Sequence, residues 1–281
     1  MRVVFILFSI FVISNAWGDT ARIATWNLGG FHQIPDNKLT MIIKGLKELD
    51  ADIVALSEVN PRSHARKIAR ALSRADDTCY KSSAPDQPRA RQQIAFLYKC
   101  DVDTSGAGLI MGSDLEKRGY RNAAVIKAKV NNFDLVMVGL HLKAGRGTSN
   151  NELRSEQLKY IRAYVQGVLM GGEKDVLVLG DYNMIPDEDV NNFDTLNAHN
   201  DMRYISSEEL SDEFSHIGRN GGGNLLDGFA FTNVDTSEYK EGTLEVVQLH
   251  EELDLTLLEF KSRVTDHLPL MAEFNTSVDY D

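Results

Sequence analysis

Polar residues recur in this 281-residue chain at the ends of short apolar runs. Asn27 follows the run 23–26, Glu58 follows 53–56, and His141 closes 135–140. Asp181 and Asn183 follow 176–179, Asp227 sits inside Leu225-Leu226-Asp227-Gly228-Phe229, and Asp266 and His267 precede 268–274. One such residue would mean little, because strand ends are where polar residues normally begin. Six such places, supplying carboxylates, amides and two imidazoles, are harder to attribute to chance. Carboxylate and amide oxygens suit a hard cation such as Mg²⁺, which takes one or two protein carboxylates and fills its remaining positions with water or phosphate. Glu58 and Asp266 would suffice. A histidine backed by an aspartate can activate water, and amide or arginine donors can meet the charge that develops when water attacks a phosphodiester. The competing account of Asp227 is a buried structural salt bridge, since an unpartnered carboxylate in an apolar strand is costly. For Asp181-Tyr182-Asn183 it is an ordinary turn.

The elements that must position these side chains alternate between short strands and amphipathic helices, which indicates an α/β fold with helices covering sheet faces. Strands are expected at 22–27, 53–58, 94–98, 123–130, 135–142, 176–179, 226–231 and 268–274. Helices are expected at 38–49, 62–73 and 150–169, the last opened by a capping-box pattern at Ser149 and Glu152. The strands 123–130 and 135–142 are joined by a hairpin-like connection at 131–134, so the sheets must be partly antiparallel. A doubly wound parallel sheet would need a helix after nearly every strand. A mixed two-sheet sandwich fits better.

Arg2 followed by the apolar run 3–13 reads as a signal peptide, too short to anchor the chain in a bilayer. Small residues place cleavage after Ala16 or Gly18, leaving about 260 residues, 19–281, as one domain. Hydrophobic content of 43% suffices for a buried core. The net charge of −11 argues against a passive nucleic-acid binder, whose affinity comes from cationic contacts to phosphate. It does not argue against an enzyme that reaches phosphate through a cation. Cys79 and Cys100 fall at the ends of two expected strands, 78–83 and 92–99, and in an exported chain they are expected to form a disulfide. Arg62, Arg66, Lys67, Arg70 and Arg74 read as a solvated helix face, His32, His64 and His216 as loop or surface histidines, and Gly221 to Gly223 as a flexible turn.

Taken in order, Ala24-Thr25-Trp26-Asn27, Leu56-Ser57-Glu58-Val59, Gly139-Leu140-His141-Leu142, Gly180-Asp181-Tyr182-Asn183 and Thr265-Asp266-His267-Leu268-Pro269 resemble the motifs of the endonuclease/exonuclease/phosphatase superfamily, in its deoxyribonuclease-I-like form. The ordered set is highly specific and spans nearly the whole expected mature chain. The resemblance implies a four-layer α/β/β/α sandwich with two mixed, largely antiparallel sheets packed face to face. It also implies roles. Glu58 looks like the principal metal ligand, with Asn27 and Asp266 completing a site for Mg²⁺, or Mn²⁺ or Ca²⁺ in its place. Asp181 and Asn183 look like the pair that positions the attacking water or a second metal and contacts the scissile phosphate. His267 looks like the imidazole beside that phosphate, Asp227 the carboxylate that orients it, His141 the second catalytic histidine, and Arg121 a phosphate-contacting arginine. Two positions depart from the pattern: Ser57 stands where the family often has Gln, and Arg91-Gln92-Gln93-Ile94 lacks the carboxylate that supports the first histidine in the deoxyribonucleases, so Gln92 or another group must orient His141. The activity implied is a secreted or periplasmic, metal-dependent phosphodiesterase, foremost an endonuclease with nucleic acid as substrate, no stable membrane anchor and no obligate protein partner. An exported phospholipid or phosphoinositide hydrolase, and a non-catalytic binding module, are the alternatives on the same fold.

Overall fold

The computed structural model describes residues 20–30, 33–232, 238–277 and 279. The expected signal segment, 1–18, and His32 lie outside the described residues. In chain order, the first half holds β1 (Thr20–Asn27), α1 (Asp36–Leu49), β2 (Ile53–Val59), α2 (Ser63–Ala75), β3 (Tyr80–Ser83) and β4 (Gln93–Lys99). There follow β5 (Asp103–Thr104), β6 (Gly108–Leu109), β7 (Ala124–Val130), β8 (Phe133–His141), α3 (Thr148–Met170), β9 (Val176–Asp181) and α4 (Val190–Leu196). The last part holds β10 (Met202–Tyr204), α5 (Ser206–Glu209), β11 (His216–Ile217), β12 (Gly223–Asn224), β13 (Asp227–Thr232), β14 (Glu245–Val246), α6 (Leu249–Glu252), α7 (Leu257–Arg263) and β15 (Leu270–Asn275). No described helix is long and apolar enough to cross a membrane.

One sheet runs β14-β15-β1-β2-β4-β3 and the other β10-β13-β9-β8-β7-β5, with β6 also paired to β7. Within them only β1 with β2 and β8 with β9 are parallel, so both sheets are mixed and largely antiparallel, as expected. Side-chain alternation builds the layers. On β8, Phe133, Leu135 and Met137 enter the core between the sheets, while Val136, Val138 and Leu140 pack on Leu158, Ile161 and Val165 of α3. On β1, Trp26 faces the opposite way, stacking on Phe260 of α7 with ring centroids 6.5 Å apart. A Cβ on Gly45 of α1 would lie 3.0 Å from the Trp26 ring. Helices thus cover each outer face, and the layers are α/β/β/α. Gly139 sits where the sheets approach most closely: an added Cβ would come within 2.9 Å of Ile94 in the facing strand β4.

Four expectations are corrected. The turn between β7 and β8 is only Asn131-Asn132, because Val130 already pairs with Phe133. Asn131 takes a left-handed φ of 56°, a conformation Asn tolerates in tight turns. α3 begins at Thr148 after Gly147, with no side-chain cap, so Ser149 and Glu152 form no capping box. The last strand starts at Leu270 rather than 268, because His267 is diverted into a bridge with His216. Gly223 is not part of a free turn: β12 pairs with β11, and a Cβ on Gly223 would overlap the His216 carbonyl.

Cys79 and Cys100 are joined as a disulfide, with Cα atoms 5.3 Å apart. The antiparallel pairing of β3 with β4 brings them together, and the Cys100 N–H donates to the Cys79 carbonyl at 2.8 Å.

Candidate active site

Three neighbouring strands of the second sheet end at the same level. The register pairs His141 with Asp181 across β8 and β9, and Asp181 with Asp227 across β9 and β13. Each of the three continues the inward-facing set of its strand, after Met137 and Gly139, after Leu177 and Leu179, or before Phe229 and Phe231. The apolar alternation that fills the core therefore delivers an imidazole and two carboxylates to its open end. Asn27 does the same from β1 across the sandwich, donating from Nδ2 to Asp181 Oδ2 at 2.9 Å and to Glu58 Oε1 at 3.4 Å.

Glu58 reaches the site by a different route. Ile53, Ala55 and Ser57 share a face with Thr25 in the parallel pairing of β1 and β2, so simple alternation would send Glu58 to the helix side. The register slips between Leu56 and Val59, and Glu58 takes a φ of 59°. A bulge of this kind re-aims a side chain next to a functional site. Gln92 then donates to Glu58 Oε2 at 2.6 Å, and Arg121 donates to Gln92 Oε1 at 2.9 Å. Arg121 also donates to the carbonyls of His141 and Leu142, both at 3.3 Å. Gln92 thus links Glu58 to Arg121 and does not orient His141, whose Nδ1 has no hydrogen-bond partner among the described residues.

Asp266 and His267 come from the loop between α7 and β15. Thr265 anchors that loop by donating to the Asn27 carbonyl at 2.9 Å, and Trp26 Nε1 donates to the His267 carbonyl at 2.9 Å. His216, read from the sequence as a loop or surface residue, belongs to the site: its Nε2 lies 3.7 Å from Asp266 Oδ2 and its ring 5.0 Å from that of His267. No motif marks it, because the β11–β12 ribbon that presents it is held by backbone bonds to residues some 50 positions away, Ile217 to Asp266 and Leu268 to Ser215. His64 lies in the first turn of α2, away from these contacts.

His267 Nδ1 is 2.6 Å from Asp227 Oδ2, and its Nε2 is 3.9 Å from Asp181 Oδ2. Burial alone would discharge the imidazole, but the Asp227 charge and hydrogen bond, with help from Asp181 and Asp266, raise it to about 10. His267 is therefore cationic at neutral pH. Burial and the neighbouring Asp227 push Asp181 up to about 7. Burial, Arg121 and His267 push His141 well below the usual range, so it is neutral; its Nε2 lies 3.5 Å from Asp181 and 3.8 Å from Glu58. The imidazole of His216, 3.7 Å away, holds Asp266 down at about 2. Asn183, at φ 51°, donates its backbone N–H to Asp181 Oδ1 at 2.9 Å and its side chain to the Leu142 carbonyl at 3.3 Å.

At the open end of the sandwich two groups of donors are candidates for a cation. Asp181, Asp227 and His267 lie within 4.8 Å of one another, but a charged imidazole gripped by Asp227 has no lone pair to give. Glu58 and Asp266 fit better. The Gly29-Gly30 turn runs between them: a Cβ on Gly30 would meet Glu58 Oε2 at 2.7 Å, and one on Gly29 would lie 3.5 Å from Asp266 Oδ1. Both carboxylates act on the Lys38 ammonium, which burial lowers to about 8 against their pull. Asn27 Oδ1 accepts from the Gly29 N–H at 2.9 Å and retains a second lone pair. Two carboxylates and an amide oxygen are the donor set of a hard divalent cation.

The chain folds as a two-sheet sandwich with a His–Asp pair and a carboxylate pair at its open end, and residues 24–242 match the Endonuclease/Exonuclease/phosphatase family. The chain belongs to that family, whose members hydrolyse phosphoester bonds and in general depend on a divalent metal. The human endonuclease/exonuclease/phosphatase family domain-containing protein 1 is 25% identical over 243 residues, which are 76% of this chain and 38% of that protein. The chain therefore spans well under half the length of that relative. Among solved structures, the human Nocturnin catalytic domain with bound sulfate superposes with a TM-score of 0.67 at 17% identity, covering 92% of this chain and 94% of its own. The D. rerio TDP2 structure complexed with a single strand DNA product gives a TM-score of 0.66 at 17% identity, covering 92% of this chain and 100% of its own.

Proposed function

We propose that this protein is an exported, Mg²⁺-dependent endonuclease that hydrolyses phosphodiester bonds in nucleic acid. The observation that carries the reading is the row His141, Asp181, Asp227 across three paired strand ends, with His267 bound to Asp227 at 2.6 Å and facing Asp181. A DNA product on a protein of this fold supports nucleic acid as the substrate class. The apolar run after Arg2 supports export.

The residues divide the work by charge. Glu58 and Asp266, with Asn27, would hold the cation, which when bound supplies positive charge to a phosphate oxygen. Asp181, poised near neutrality, accepts a proton from the attacking water, and the Asn183 N–H holds its other oxygen in place. The His267 imidazolium, kept charged by Asp227, offers a donor to the oxygens that gain negative charge as water adds to phosphorus. Arg121 braces Gln92 and the end of β8, placing positive charge at the rim on the phosphate side. His141, neutral and buried beside Asp181, is placed to hydrogen-bond a phosphate oxygen or pass a proton.

The deciding experiment is nicking of supercoiled plasmid by the protein with Mg²⁺, alongside EDTA and His267→Ala controls. Nicking that is lost in both controls is expected. Absence of nicking by folded, metal-loaded protein would move the substrate to lipid or small phosphoesters.

A further inference from the structure

A groove leaves the site on the Arg121 side. Arg118 and Gly119 line both of its parts. One, of about 190 Å³, opens on Tyr120, His141 and Lys143; the other, of about 430 Å³, runs past Asn60, Arg91 and Gln92. Among the described residues no carboxylate lines either part, although the chain carries a net charge of −11. Arg118 and Lys143 have no carboxylate within ion-pair distance among the described residues, whereas Arg89 nearby is held by Asp114 at 3.0 Å. The half-buried Tyr120 ring stands among these cations, with Lys117 Nζ 5.7 Å and Lys143 Nζ 6.0 Å from its centre. Its position is fixed from behind, because the next residue, Arg121, is tied to the carbonyls of His141 and Leu142. The backbone of the preceding residue, Gly119 at φ 88°, is uncovered: a Cβ there would meet nothing within 4 Å beyond its two chain neighbours.

We propose that Tyr120, flanked by Arg118 and Lys143, is the stacking platform for one base of a single-stranded nucleic acid whose neighbouring phosphate enters the site. The inference rests on the nuclease reading and adds a position at which a base is gripped. The ring offers a π-face and the cations offer phosphate contacts, a combination that matches a nucleotide and no other phosphoester of the alternatives. A choline headgroup would meet the like charges of Lys117 and Lys143 at the ring, and a phosphorylated inositol has no π-face to stack. A base must leave its helix to stack in this way, so the substrate at this position is single-stranded. Stacking on an aromatic side chain contributes about 5- to 150-fold in affinity per base.

The test uses the full chain with Mg²⁺ and a set of single-stranded DNA hexamers in which one abasic residue is moved along the sequence. For the wild type, an abasic residue at one position relative to the cleaved bond should raise KM five-fold or more, while other positions have little effect. Tyr120→Ala should raise KM for the intact hexamer and erase the positional effect, and Tyr120→Phe should restore it. Uniform tolerance of abasic residues by the wild type, or an undiminished positional effect in Tyr120→Ala, overturns the inference while leaving the nuclease reading standing. The wild-type scan decides the point even if Tyr120→Ala fails to fold. Failure of the wild type to cut any hexamer while it nicks plasmid overturns the inference and leaves the nuclease reading standing; failure on both substrates removes the two together.

Discussion

Asp227 Oδ2 and His267 Nδ1 approach to 2.6 Å, both buried, across 40 residues of sequence, from a strand of one sheet to the loop that leads into the other. An aspartate on β13 thereby sets the charge of an imidazole held by the loop before β15. Asp227→Asn keeps the volume and loses the charge, so His267 should fall back toward or below its ordinary value, since burial then acts unopposed. Turnover should drop by about 10²- to 10⁴-fold, the range of a lost proton-transfer or charge-stabilising group. His267→Ala should cost a similar factor, and the double variant little more, because the two act as one unit. Steady-state kinetics on plasmid, with circular dichroism to check folding, measures all three.

The pH profile should have an acidic limb near 7, because Asp181 is pushed up to about that value and must be ionised to take a proton. A raised carboxylate is protonated, and inactive as a base, below its shifted value, so activity rises with pH through this window. Asn27→Ala removes the side-chain hydrogen bond that lowers Asp181 and should move the limb to higher pH even as the plateau falls. A kcat profile from pH 5 to 9 for both proteins reads the displacement. An unmoved limb would assign the titration to another group.

Metal dependence should separate Glu58 from its neighbours. Glu58→Ala should abolish stimulation by Mg²⁺ at concentrations that saturate the wild type, since it removes one of the two carboxylates beside the Gly29-Gly30 turn. His216→Ala leaves both carboxylates in place and only frees Asp266, so the Mg²⁺ concentration for half-maximal activity should rise by about ten-fold, as expected for loss of a group that orients a ligand. Titration of activity with Mg²⁺ distinguishes the two outcomes.

The disulfide should stabilise the edge of the first sheet. Cys79 and Cys100 are 21 residues apart, and closing a loop of that length lowers the entropy of the unfolded chain by about 3 kcal/mol at 25 °C. The Cys79→Ala/Cys100→Ala variant, or the wild type in reductant, should melt several degrees lower with specific activity at 25 °C retained. Equal melting temperatures would show that the bond adds nothing to the fold.

Alternation along individual strands was enough to find most of the site. His141, Asp181 and Asp227 extend the inward face of β8, β9 and β13, and that face is readable because a core strand must put an apolar residue at every second position. The cysteine pairing was legible for a related reason, since two short strands ending in cysteine have few ways to pair in a chain read as exported. Local rules failed where the chain leaves a regular element. The Ser149–Glu152 pattern suggests a cap, yet the first turn of α3 starts earlier because Gly147 turns the backbone.

What the sequence by itself determined is the mixed sheets and the polar residues at their ends, which follow from side-chain period and local composition, and the family, which the resemblance of its ordered motifs implied. Only the tertiary structure decided how those residues face one another. Glu58 lies on the wrong face by alternation and is turned inward by a left-handed backbone at a register slip. Gln92 serves Glu58 and Arg121 instead of His141, and His216 joins Asp266 through a ribbon that carries no motif. Each of these depends on contacts between segments tens to hundreds of residues apart, and a short-range pattern cannot encode the distance or direction between side chains that meet only when the sheets close.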